Sequence, residues 1–359
     1  MSSFFSGLTT ASVSVLTTAQ LNALSTADYA AISSDQLRAL TTSQLQAINA
    51  NLVAAITTAN VSVMTTNQLS KGLTTDQVAG LTTAQVGALT TDQVRMGLTT
   101  DQIVGLTTKQ VSAFNTDQVQ SLTTDQVKNM ETRDVAALTT RQVAALTTDQ
   151  IKKGLTTDQI VGLTTGQVAA LNTDQVQSLT TDQVKNMETR DVASLTTNQV
   201  SALTTDQVKK GLTTDQIVGL TTGQAAALTT DQVVVLTTDQ VKSMETRDVA
   251  ALKTSQVAAL STDQVNKGLT TDQVAAMTTA QVGALTTDQI KKGLTTDQIV
   301  GLTTAQVGAF NTDQVQSLTT DQVKNMETRD VAALTTRQVA ALTTDQIKKG
   351  LTTDQIVGL

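Results

Sequence analysis

From Leu8 to Gly358 the chain is written in steps of eight residues, L-T-T-x-Q-V-x-x, with nothing inserted between steps. There are 43 such octads. Seven carry a ninth residue, in every case Gly: Met64–Gly72, Leu89–Gly97, Leu146–Gly154, Leu203–Gly211, Leu260–Gly268, Leu285–Gly293 and Leu342–Gly350. A fixed short period is the signature of a repeat architecture. In one continuous α-helix eight residues advance about 800°, so the Leu stripe would drift by about 80° per octad and no face would stay apolar. The helix must therefore break in every octad.

The break is spelled Thr-Thr-Asp-Gln. In the octad opened by Leu146, Thr147 suits the N-cap, and Gln150 at N3 reaches back to complete a capping box. Leu146 and Ile151 then fall at N′ and N4, the pair of a hydrophobic staple, and Asp149 lies in the first turn, where its charge suits the helix dipole. Asn115, Asn172, Asn311, Ser25, Ser33 and Ser261 replace the capping Thr with residues that cap equally well. Lys253 cannot, and neither can the Glu of the four METRD octads at Met130, Met187, Met244 and Met326, where Asp also replaces the Gln. Those octads are expected to start their helices differently. Gly154 and Gly162, at helix ends, suit a left-handed C′ residue. A β-solenoid is the competing reading, since Thr-Thr and Val favour strands. The Ala, Gln and Lys in the second half of each octad, and the lack of strict alternation, favour short helices.

One octad cannot fold alone, because a single buried Leu–Val pair does not offset the entropy of ordering eight backbones. Stacked neighbours share an apolar seam, which gives nearest-neighbour stability. The expected fold is all-α: a solenoid of very short capped helices, one per 8–9-residue repeat, with two repeats per turn. Octads two apart would then be directly stacked. Glu131 and Asp134 would face Lys152 and Lys153, and Glu327 and Asp330 would face Lys348 and Lys349, as exposed pairs worth about 0–1 kcal/mol each. Three regions are expected: an apolar N-terminal tail at 1–7 holding Phe4 and Phe5, divergent repeats at 8–63 charged only at Asp28, Asp35 and Arg38, and a regular repeat solenoid at 64–359.

The residues that usually carry chemistry are missing. The chain has no His and no Cys, no Ser sits in a nucleophile elbow, and no calcium loop or phosphate loop is spelled out. The protein is therefore expected not to be an enzyme, with no catalytic, cofactor-binding or metal-ligating residue and no cofactor. Met replaces Leu at the first position of several octads, which makes it core filling. With a net charge of −7 and dispersed Lys there is no basic patch to hold nucleic acid. No apolar run approaches the roughly 18–20 residues of a membrane span. The start, MSSFFSG, lacks the basic and apolar regions of a signal peptide, which leaves either cytoplasmic residence or export without a cleaved N-terminal signal.

The octads LTTDQV, LTTAQV and LTTRQV resemble repeats of very large exported surface proteins of β-proteobacteria, adhesin- or hemagglutinin-like, and the resemblance covers nearly the whole chain from Leu8. It implies an extracellular or cell-surface place and assigns no functional residues. The expected function is structural: an extracellular repeat protein that forms or contributes to a filament or surface stalk by end-to-end self-assembly, with contact to a cell surface or matrix as a further partner. The alternative is an adhesin shaft or a surface-binding Thr array, ice being one such surface.

Overall fold

The computed structural model describes residues 3–359, and among them all regular structure is helical. Each octad forms one helix of four to six residues, beginning where the hydroxyl-led break predicts. Thr156 caps Thr157–Val161: its side chain accepts from the Gln159 N–H, and the Gln159 side chain accepts from the Thr156 N–H. Asn115, Asn172 and Asn311 complete the same capping box. At Lys253 only the return half survives, its N–H donating to Gln256 Oε1 at 2.5 Å. The METRD helices, such as Thr132–Ala136, start without any side-chain cap on Glu131, as their altered sequence suggests.

The chain divides into two compact halves, Met1–Leu179 and Thr180–Leu359. In the N-terminal half Thr100–Val104 packs between Thr75–Ala79 and Thr124–Asn129. In the C-terminal half Thr222–Ala227 packs between Thr197–Ala202 and Thr246–Ala251. Each helix thus lies against the helix three octads away, so a turn holds three repeats and not the expected two. The residues between helices explain the difference. Leu155 and Thr156, the two residues of one link, both have extended backbones (φ −70°, ψ 126° and φ −76°, ψ 164°), so the link turns a corner and does not reverse the chain. Three walls then enclose the Leu and Val rows, with Val127 1% and Leu146 3% exposed.

The expected cross-octad ion pairs fail for the same reason, because octads two apart are neighbours around the turn. Arg133 Nε pairs with Glu131 at 2.6 Å and Lys153 Nζ with Asp149 at 2.9 Å, each inside its own octad. Arg329 and Lys349 do likewise with Glu327 and Asp345.

The seven nine-residue octads are the seven π-helical segments, from Gln68–Gly72 to Gln346–Gly350. In Gln150–Gly154 the Leu155 N–H reaches back to Gln150 O at 2.8 Å, so the extra residue is absorbed inside one turn of helix. Their glycines are not left-handed, since no described residue has a positive φ. They permit close approach instead. A Cβ on Gly154 would stand 3.1 Å from both Val127 Cβ and Cγ1, one turn below. Gly154→Ala is therefore expected to cost about 1–3 kcal/mol. Gly166→Ala, in a helix with nothing within 4 Å, should stabilise by about 0.5–1 kcal/mol. Urea melts of the two variants beside the parent chain decide it, and equal shifts would refute the packing argument.

Candidate functional site: a row of buried glutamines

The octad's most unusual residue is its fifth. A row of Gln runs through the interior almost fully buried, Gln159 at 2% exposure being typical. A buried primary amide must find partners for two donors and an acceptor. Gln159 Oε1 accepts from the Thr156 N–H at 2.8 Å, closing the N-terminus of its own helix. Its Nε2 donates to Val127 O at 3.0 Å and Met130 O at 2.6 Å, at the corner one turn below. These carbonyls belong to the end of helix Thr124–Asn129 and to the extended link after it, so one side chain satisfies orphan groups at two helix ends at once.

The rung repeats through both halves. Gln175 Nε2 bonds Val143 O and Leu146 O, and Gln273 Nε2 bonds Val241 O and Met244 O. The rungs also tolerate the ninth residues. Gln150 reaches back 31 residues to Val119, Gln159 32 to Val127 and Gln102 33 to Leu69, all between 2.8 and 3.0 Å.

The N-terminal residues join this scheme. Phe4–Gly7 forms a single 3₁₀ turn, and Gln36 Nε2 donates to Phe5 O at 2.7 Å and Leu8 O at 2.8 Å. Phe5 thus takes the place that Val holds in later octads, fully buried, with its ring edge-on to Tyr29 at 5.9 Å. The phase of the repeat, extended back past Leu8, is the signal that finds it.

The METRD octads break the row. Asp134, Asp191, Asp248 and Asp330 stand where Gln should, each 1% exposed. Both carboxylate oxygens of Asp134 and Asp248 are buried without a hydrogen-bond partner. Burial raises these carboxyls above the ordinary Asp value; the adjacent Arg133 and Arg247 oppose that, and Glu131 and Glu245 reinforce it.

Among the described residues no group of three or more acidic, His or Cys side chains converges as metal ligands would, and no helix is long and apolar enough to cross a membrane. A cleft of about 400 Å³ opens in the N-terminal half beside Arg95, lined mainly by Thr91, Asp92, Gln120, Ser121 and Thr147.

No curated protein matches the chain. Among solved structures, a leucine-rich repeat-containing protein of Legionella pneumophila is 12% identical over 72% of this chain and 83% of its own, with a TM-score of 0.18, too low to bear on the fold. The ALTTAQ repeat matches in ten successive stretches, residues 13–50, 53–96, 96–130, 127–165, 161–189, 184–222, 241–279, 267–292, 292–320 and 323–359. With the octad repeated along nearly its whole length, the chain belongs to the ALTTAQ repeat family.

Proposed function

We propose that this repeat protein is a non-enzymatic structural scaffold that forms or contributes to a filament or surface stalk outside the cell. One observation supports the reading above the rest: the Gln rungs run from turn to turn and bond main chain, so the stack is held by a device indifferent to which side chains face outward. Such an interior supplies length and a uniform surface, and it leaves the outer positions free to vary. Self-association of one copy with the next extends the same principle, since head-to-tail contacts between identical stacks do not close.

The Thr-array alternative is weaker. The first Thr of each pair has its hydroxyl engaged in capping, as Thr156 does with the Gln159 N–H at 3.2 Å, so only the second row is available to an outside surface. Negative-stain electron microscopy of the purified chain tests the proposal. Uniform fibres many times longer than one molecule are expected. Single dispersed particles at every concentration would remove the filament reading, and a freezing-point hysteresis in their place would restore the Thr array.

A further inference from the structure

Position five of the octad shows what each polar residue needs there. Asn60 occupies it in the octad opened by Ile56. Its Oδ1 accepts from Ser34 Oγ at 2.8 Å, and its Nδ2 donates to Ile32 O, both one turn below. Asp330 has the same outline. Its Oδ1 accepts from Thr304 Oγ1 at 2.8 Å, and Thr304 holds the position in its octad that Ser34 holds in the earlier one. The remaining oxygen of Asp330, Oδ2, is buried and unpartnered. In the register of the Gln rungs the carbonyl below it is Leu302 O, as Ile32 O is below Asn60. An oxygen therefore stands in the place of an amide N–H₂, and what the place lacks is a hydrogen.

Asp134 and Asp248 stand in the same register, and there neither oxygen has a hydrogen-bond partner. The neighbouring rungs fix their counterparts below. Gln126 bonds Val94 O and Leu98 O, and Gln142 bonds Val111 O and Phe114 O, so the rung between them falls on Ile103 O and Leu106 O. Gln240 and Gln256 likewise leave Ile217 O and Leu220 O to Asp248. Asp28 provides the contrast. It stands at the same octad position, but the turn below offers it the Phe4 N–H at 2.8 Å, and its carboxyl is held below the ordinary value chiefly by that donor. Asp134 and Asp248 receive no donor on either oxygen, so an ionised Asp there has acceptors facing acceptors.

We propose that Asp134 and Asp248 hold their turns as neutral carboxylic acids, the acid O–H donating to the main-chain carbonyl that an amide N–H would reach, so that these two corners tighten in acid and loosen when the proton is lost to solvent. The charged groups around them are few and do not replace the missing donor. On Asp134's own helix, Arg133 Nε lies 3.7 Å from Oδ1 but is 65% exposed and closed on Glu131 at 2.6 Å. The helices packed against it, Thr108–Ser112 and Thr157–Val161, carry only Lys109 and Asp158, neither of them buried. Around Asp248 stand Arg247 and Glu245 on its own helix and exposed Asp272 on Thr271–Ala276, while Thr222–Ala227 has no charged residue. Burial raises both acids, so the native chain binds protons that the unfolded chain releases. The stabilisation is complete below the unfolded Asp value and is lost as pH rises through the folded one.

The test compares the full chain with its D134N/D248N variant, which carries the amide permanently. Hydrogen exchange is followed in peptides spanning 98–113, 130–137, 212–227 and 244–251, from about pH 4 to about pH 8. The ratio of parent to variant exchange removes the intrinsic pH dependence. It should be near one at the acid end and rise by about tenfold or more towards neutrality, as the two buried acids lose their protons. A ratio that stays constant across the range overturns the proposal. So does parent-chain protection regained at neutral pH on adding millimolar calcium chloride, because the missing positive charge would then be a metal ion and not a proton. Asp28→Asn serves as the reference in which no acid-side gain is expected.

Discussion

Replacing Gln159 with Leu is expected to destabilise the protein by about 3–6 kcal/mol, more than the same change at any surface Gln. The substitution keeps the volume and apolar contacts of the side chain while removing both of its polar ends. It strands the Thr156 N–H at one helix start and Met130 O one turn below, and leaves Val127 O with one partner fewer. Each buried group left unpaired costs about 1–3 kcal/mol. Gln159→Glu separates the two halves of the role. It retains the oxygen that closes the capping box but places an acceptor against two carbonyls, so it too should destabilise strongly near neutral pH and partly recover in acid, where the carboxyl regains a donor. The control is Gln120→Leu, an exposed position, expected within about 0.5 kcal/mol of the parent chain.

The measurement has to be local as well as global. In a stack with nearest-neighbour coupling the transition need not be two-state, and one broken rung weakens the turn it serves and the turn beneath. Exchange should rise first in residues 124–130 and 156–161 and decay over one or two turns on either side. A uniform rise along the chain, or no rise at all, would show that the rung is not what couples the turns.

This role of Gln was only half legible in the sequence. The capping box explained Oε1, because its partner lies three residues away and the spacing recurs in nearly every octad. The Nε2 partners lie 28 to 33 residues away, where a short-range reading does not look. A signal was nevertheless present: Glu completes a capping box as well as Gln does, yet no octad places Glu at the fifth position. The long acid is avoided and Gln dominates, which points to the amide hydrogens, and the short acid that replaces it in the METRD octads is left with unpartnered oxygens. The breaks, the Leu and Val rows and the nine-residue octads were legible because each depends on neighbours within a turn of helix. The number of octads per turn was not, since it follows from two extended backbone residues whose corner angle no pattern encodes. The mistaken pairing of Glu131 with Lys152 followed from that one error. Gly154 was misread for a different reason: conformational freedom and absence of a side chain are separate reasons to choose Gly, and only packing against Val127 distinguishes them.

Phe5→Ala should cost about 3–5 kcal/mol, the usual range for emptying a fully buried aromatic site. Phe5 has the burial of a core residue although it lies ahead of the first recognisable octad. Its ring meets Tyr29 edge-on, Tyr29 Oη in turn donates to Leu21 O at 3.1 Å, and Phe5 O receives the Gln36 rung. Truncation therefore removes packing and slackens the 3₁₀ turn whose Phe4 N–H holds Asp28 and whose carbonyls hold Gln36. Because coupling runs between adjacent turns, the loss should appear as faster exchange over residues 9–40 and should fade before the π-helical segment Gln93–Gly97. Phe4→Ala, at a position 44% exposed, should leave that region protected. If the two variants behave alike, the N-terminal residues act as a tail and not as a further step of the repeat.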